Sequence, residues 1–532
     1  VSQTLATTFR TLAETDSPSA FRLLLAGLDH SWPAIHREAL IGLLLRRRPE
    51  CQREILLRWP ELWRCWQRVL YAHRDRMSRA VREAVTGADP QLCVLGCEAA
   101  VCLDYYDIVP NLIGVLQAPS PSCVETVAAT VLRLADRLYE ELALPKERAR
   151  RRNPQLVREH LLHSLEIGVQ RYSRHRRREV VEAFLVLAGR DNVTLKLILQ
   201  NPNHSEYAII LELLSKSSRP GVIRLLLSFL DDPQPPLTAL NVLASRCDVP
   251  FVRYLLRKIG REQPPVMRQN LRRLSAIAWL KTPQAMLEQL DDDGQHALVR
   301  LTMGIHQPRE QAFAILQCVL QHGRPGGRCA AAEALAEFSG EEANRLAIDA
   351  IEDPDPAVQA AMLVQLRGRR ISGALPRLVD MVDSPHEVVR EAVRKSLVEF
   401  TFPRYLAAFD LLDDDVRCST GLLVRKIDPQ TVPLLQAELR SLVRQRRLRG
   451  LLITRTIDAV EELELTVIAL LRDEDHVIRS EAALTLAGCP TNTTRQALEE
   501  ALNDRSQTVQ EAARKSLAIL DKLPPHDPSR PW

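Results

Sequence analysis

The chain has 532 residues, 46% of them hydrophobic and 26% charged, with 71 Lys and Arg against 67 Asp and Glu. That balance excludes disorder over the bulk of the chain. The longest uninterrupted apolar stretches, such as residues 39–45, fall far short of the roughly 18 residues that would cross a bilayer.

In chain order, the first helical signal is the spacing of Ile35, Ala39 and Leu43, apolar residues at steps of four that line one helix face. Trp59, Trp63 and Trp66 follow at steps of four and three, with Arg64, Arg68, Arg74 and Arg76 nearby. Such a set would serve as a base-stacking platform. The common helical face reads more simply as core. Cys93 and Cys97 share a face near Cys102, and no Cys-x-x-Cys pair occurs, so these thiols read as small buried hydrophobes. Scattered cysteines in odd number suit a reducing compartment. The first ten residues lack a basic segment followed by an apolar one, the mark of a secretory signal. The expected location is therefore cytoplasmic.

The charge distribution departs from uniformity once. Residues 146–178 hold eleven cations against three glutamates, so the chain's net charge of +4 hides one strongly basic segment. The candidate contacts for an anionic partner, nucleic acid or acidic protein, are Arg148, Arg150, Arg151, Arg152, Arg174, Arg176, Arg177 and Arg178. His160 and His163 lie in the same segment, but neither the His-Glu-x-x-His pattern nor its inverse is formed.

Along most of the chain runs a beat of about 30 residues, a period that specifies stacked repeats. Acidic or Asn turns recur at Asp29, Asp89, Asn201, Asp231, Asp291, Asp353, Asp383, Asp413, Asp473 and Asp504. The phrases beginning at Val389 and Val509 agree at seven of nine positions, 120 residues apart. After each turn, apolar residues fall at helical spacing: Val358, Ala361, Met362, Leu366; Val389, Ala392, Val393, Leu397; Ile478, Ala482, Leu486; Val509, Ala512, Leu517. Before the turn, Leu375, Leu378, Val379 and Val382 mark a partner helix. Asp or Ser before Pro, as in Asp89-Pro90, Asp232-Pro233, Asp355-Pro356 and Ser384-Pro385, reads as a helix cap with proline in the first turn. Two beats carry basic turns instead: Arg324 and Arg328, then Arg444, Arg446, Arg447 and Arg449. Residues 323–327, Gly-Arg-Pro-Gly-Gly, lack the Lys-Ser/Thr of a phosphate loop and read as a turn.

Two helices per repeat, an Asp–Pro turn and a Val-Arg-x-x-Ala second helix resemble the HEAT-repeat superfamily, in the short form of about 30 residues similar to that of bilin-lyase-type HEAT proteins. The resemblance is strongest over residues 327–520. It implies an all-α fold, an α-solenoid; the period of about 30 residues divides the chain into roughly 16 to 17 stacked two-helix units. The expected organisation is repeats over 1–140, an irregular Arg-rich insertion and adjoining repeat over 141–180, repeats over 181–520, and a Pro-rich tail over 521–532. The function so implied is a non-enzymatic scaffold that binds a protein partner on an extended surface. Nucleic-acid backbone binding through the Arg-rich turns is the first alternative. A tetrapyrrole lyase or chaperone, implied by the resemblance alone, is the second. No catalytic constellation, cofactor or metal site is expected.

Overall fold

The computed structural model describes residues 3–46, 48–118, 123–144, 153–260, 263–274 and 277–522. Among these residues every regular element is an α-helix or a short 3-10 turn, and there is no strand. Residues 523–532 of the sequence-predicted tail over 521–532, and residues 145–152 of the Arg-rich stretch over 141–180, lie outside the described residues. By its contacts the chain forms two units, Val1–Ile315 and Leu316–Trp532.

In the second unit the repeat is regular. The second helix of each pair begins at Pro325, Pro356, Glu387, Asp414, Arg444, His476 and Gln507, so the steps are 31, 31, 27, 30, 32 and 31 residues. The first helices, among them Glu341–Asp349, Thr431–Leu439 and Asn492–Ala501, are short. Helices of this length are marginal alone in water, and the packing supplies what propensity does not. The helix Pro356–Leu366 packs on Glu387–Ser396, Arg444–Thr456 on His476–Thr485, and His476–Thr485 on Gln507–Leu520. Val389, Ala392, Val393 and Leu397 are all buried, as their spacing predicts. Leu517, which matches Leu397 in the repeated phrase, is only partly buried. It stands in the last described repeat, so the neighbour that covers Leu397 has no counterpart there among the described residues. Leu375 also departs from its predicted place in the core and is 43% exposed, whereas Leu378 and Val382 are buried.

The first unit stacks by the same principle with less regular lengths. One row runs through Pro33–Leu45, Pro49–Leu57, Pro90–Cys102, Val124–Ala143, Arg178–Leu187, Pro220–Ser228, Val249–Ile259 and Asp292–Gly304, each packed on the next. Its members vary from 9 to 20 residues. The basic segment, residues 146–178, follows the longest of these helices, Val124–Ala143, and includes the 17-residue helix Pro154–Gln170. The helix Arg178–Leu187 is buried on several sides: Val180, Val181, Ala183, Phe184, Leu185 and Val186 are all fully enclosed.

Candidate functional site

Arginine is the side chain that organises this fold. In the second unit one position of the second helix, six residues after the turn, carries Gln359, Arg390, Arg447, Arg479 and Gln510 in successive or near-successive repeats. Each donates to the carbonyl six residues back: Gln359 to Asp353, Arg390 to Ser384, Arg447 to Ser441, Arg479 to Asp473 and Gln510 to Asp504, at 2.6–2.8 Å. Where the residue is arginine, its free edge can also reach the acidic turn of the following repeat. Arg328, at the equivalent place of the preceding repeat and bonded to the Gly323 carbonyl five residues back, meets Asp353 at 2.7 and 2.9 Å, and Arg447 meets Asp473 at 2.9 Å. Arg479 meets Asp504 at 2.8 and 3.0 Å. The aspartate's other duty is local. Asp353, Asp473 and Asp504 accept from the backbone N–H two residues on, fixing the turn. The helix caps proper are other residues, Asp355 and Asp475, which accept from Ala357 and Val477 N–H at 2.8 Å. Asp89 caps its helix as the sequence predicts. Asp232 instead closes a turn by accepting from Gln234 N–H.

A second set of arginines reaches the carboxyl ends of neighbouring helices. Arg46 donates to the Leu12 carbonyl, and also to that of Ser17 at the start of the next helix; Arg246 donates to Leu214 and Ser217, and Arg369 to Leu335 and Phe338. Terminal carbonyls lack partners within their own helix and carry the negative end of its dipole. Guanidinium groups answer both needs.

These roles absorb one of the basic clusters the sequence singles out. Arg444, Arg446, Arg447 and Arg449 form the first turns of the helix Arg444–Thr456 rather than a turn between helices. They pair with Asp475, Glu438, Asp473 and Asp410 respectively. The Gly-rich stretch also divides: Pro325, Gly326 and Gly327 open the helix Pro325–Ala334, and Arg324 is its N-cap residue.

The basic segment at 171–178 is different. Arg148, Arg150, Arg151 and Arg152 lie outside the described residues. Arg174, Arg176 and Arg178 are exposed and Arg177 half-buried. None of the four guanidiniums pairs with a carboxylate among the described residues. The turn that displays them is fixed from beneath. His175 is buried; its Nδ1 accepts from Arg177 N–H at 2.9 Å, so its Nε2 donates to the Gly168 carbonyl at 2.9 Å. Arg176 takes a left-handed φ of 49° and donates its N–H to Tyr172, closing the short helix Tyr172–His175. Leu156, His160, His163, Ile167 and Arg171 share the exposed face of the preceding helix.

The other sequence candidates are structural in surroundings. Trp59 is buried and stacks on Trp63 with centroids 5.5 Å apart. Trp66 breaks the common face: its φ of −128° kinks the helix, and its ring meets His36 edge-on at 5.7 Å. Cys93 and Cys97 are buried, and Cys93 Sγ donates to the Val85 carbonyl at 3.7 Å. Among the described residues no three His, Cys, Asp or Glu side chains gather as a metal site. No described helix is long and apolar enough to cross a membrane.

Exposed apolar side chains concentrate on neighbouring repeats of the second unit. Leu411 is 86% exposed and Leu442 is 98% exposed, in consecutive turns that each precede a second helix. Val416 and Val443 stand beside them, and Leu422 and Leu452 occupy equivalent exposed positions on the two helices that follow.

This construction defines an α-solenoid in each unit. Residues 310–398 match the family of HEAT repeats, and that stretch consists of HEAT repeats. A search of curated proteins gave no match. Among solved structures the chain is similar to an engineered protein at 14% identity and a TM-score of 0.18, over 94% of this chain and 99% of that one. It is similar to a chain from a structure of the cadherin–β-catenin interaction at 13% identity and a TM-score of 0.31, over 96% and 99%. It is similar to a mutant form of the karyopherin Kap121p at 13% identity and a TM-score of 0.25, over 98% of this chain and 57% of that one. The chain thus spans little more than half of the Kap121p chain. Likeness at this level carries no argument about function.

Proposed function

We propose that the protein is a non-enzymatic scaffold that binds a protein partner across consecutive repeats of its second unit. The observation that supports this is the repeated exposure of Leu411 and Leu442 at adjacent turns, with Val416 and Val443 alongside. A single exposed leucine is ordinary, but a group of apolar side chains rimmed by charge marks an association surface. Here the rim is Asp413, Asp414, Asp415, Arg444 and Arg446. Co-purification followed by mass spectrometry tests the reading. A partner held by the wild-type protein should be lost from a Leu411→Glu, Leu442→Glu double variant whose helical circular dichroism is unchanged. A partner retained by that variant sinks the assignment of this surface.

The unpaired guanidiniums of Arg174, Arg176, Arg177 and Arg178 favour a second reading, contact with a nucleic-acid backbone. Most arginines of this fold have an internal acceptor and these four have no carboxylate among the described residues. Such binding weakens steeply with salt. Retention on single- or double-stranded DNA at low salt should weaken, and the slope of log affinity against log salt should shrink by about one, for each phosphate contact removed by charge reversal at Arg174, Arg176 and Arg178. No retention at low salt, or retention indifferent to these changes, eliminates it.

A further inference from the structure

Arg158 belongs by sequence to the basic segment, yet it does not face outward with the rest. Its Nε donates to the Leu187 carbonyl at 2.8 Å. Arg224, on the helix Pro220–Ser228, approaches the same helix end and donates from Nη2 to Val186 and Ala188 at 3.3 and 3.0 Å. Two guanidiniums therefore converge on the last carbonyls of Arg178–Leu187. They line a cleft of about 220 Å³ with Tyr139, Gln155, Leu142 and Val186. Arg224 lies over the Tyr139 ring, 5.3 Å from its centroid.

The charge in this cleft does not balance. A helix carboxyl end supplies roughly half a negative charge. Two guanidiniums supply two positive charges, which leaves about +1.5. No carboxylate among the described residues pairs with either arginine. Burial, and the Arg158 charge alongside, hold Arg224 below its ordinary pKa, with the Tyr139 phenol opposing. The hydrogen-bonding capacity is also unused. Nη1 and Nε of Arg224, both terminal nitrogens of Arg158 and the Tyr139 hydroxyl make no hydrogen bond with a described residue. Arginine's fork suits an oxyanion with several acceptor oxygens.

We propose that this cleft binds a small phosphate monoester. The phosphate would lie between the Arg158 and Arg224 guanidiniums, the Tyr139 hydroxyl would donate to it, and Leu142, Ala143, Val186 and Leu187 would flank the ester carbons. A dianion meets the residual charge of the site better than a monoanionic carboxylate does. A cleft of about 220 Å³ accommodates a single phosphorylated small group.

The test is calorimetric titration of the full-length protein with inorganic phosphate and, separately, with glycerol 3-phosphate. Saturable 1:1 binding is expected, weakened at least tenfold by Arg224→Gln and by Arg158→Gln, and unaffected by Arg404→Gln at an exposed arginine of the second unit. Tyr139→Phe, which removes one hydroxyl, should weaken it without disturbing the fold and guards against a misfolded arginine variant. Affinity for glycerol 3-phosphate should rise with pH through about 6, where a phosphate monoester takes its second charge. Tighter binding of glycerol 3-phosphate identifies an organic monoester as the ligand, and equal binding of the two identifies the free ion. If neither saturates at millimolar concentration, or if binding survives all three cleft substitutions, the site is overturned.

Discussion

Arg479 grips Asp504 with two parallel hydrogen bonds, Nε to Oδ2 at 2.8 Å and Nη2 to Oδ1 at 3.0 Å, while its third nitrogen holds the Asp473 carbonyl at 2.8 Å. One buried side chain thus ties the turn of its own repeat to the turn of the next. Arg479 is 4% exposed and Asp504 is 14%. Removing one partner strands the other charge in a poorly solvated place, and such losses run to about 3 kcal/mol or more. Arg479→Ala should lower the denaturation midpoint by about that stability. Arg479→Lys should recover only part of it, because an ammonium cannot reproduce the planar fork. A cost near zero for both would reduce the staple to a contact without energetic weight.

The same pair sets an acid limit. Hydrogen bonds from Arg479, with lesser help from the Ser506 N–H, hold the Asp504 carboxyl below its ordinary pKa. A depressed carboxylate stabilises the fold above its unfolded pKa of about 3.9 and loses that contribution as pH falls through the folded value. Wild type should therefore lose stability faster than Arg479→Ala below about pH 4. Parallel acid-unfolding curves for the two proteins would contradict this.

Much of the second unit was legible because each repeat solves the same problem with the same residues. The beat of Asp turns and the Val-x-x-Ala spacing located its helices. They also identified the buried faces, since Val389, Ala392 and Val393 turn inward as helical spacing requires. What periodicity does not reveal is the partner of a charge. Arg447 and Arg449 read as a basic turn, whereas their carboxylates, Asp473 and Asp410, lie 26 and 39 residues away in sequence. A clue existed: arginine recurs six residues after a turn, with an aspartate about 25 residues on. In the first unit, changing helix lengths blur the beat. The cleft between Arg158 and Arg224 joins residues 66 apart, and nothing local announces it.

Asp136 titrates in the opposite sense. Burial raises its pKa to about 6; Arg219 opposes the rise, and Glu182 and Glu140 add to it. A raised carboxyl binds its proton in the folded state before the unfolded one, so this group makes stability fall as pH rises from about 4 to 6. Above that window the cost stays constant. Asp136→Asn should therefore gain on wild type across the window and hold a fixed advantage above pH 7. Melting temperatures at pH 4.5 and 7.5 decide it: a difference between the two proteins that does not change with pH rejects the assignment.

A single repeat should not fold. The fragment 375–405 contains the helix Glu387–Ser396, whose apolar face is covered by Pro356–Leu366 in the intact protein. Cutting there removes the Ser396 hydroxyl's bond to the Leu363 carbonyl at 3.0 Å and the pairing of Arg367 with Glu399. Ten-residue helices without such cover are marginal. Circular dichroism of the isolated fragment should show coil. A stable helical spectrum would mean that each repeat carries its own stability.

Gly221 offers the sharpest structural test of the proposed anion cleft. A Cβ at this position would stand 2.9 Å from the Val186 carbonyl oxygen and 3.0 Å from its Cα. These are backbone atoms of a fully packed helix, so they cannot swing aside as a flexible side chain could. The absence of a side chain lets Pro220–Ser228 approach Arg178–Leu187 closely enough for Arg224 to reach the Val186 and Ala188 carbonyls. Gly221→Ala must push the two helices apart. Overpacking of this kind costs about 1–3 kcal/mol, offset in part by alanine's better helix propensity. The variant should melt at a lower temperature and bind phosphate more weakly than wild type, although no cleft donor has been removed. Wild-type affinity in a destabilised Gly221→Ala protein would show that the arginines do not depend on this helix contact for their placement.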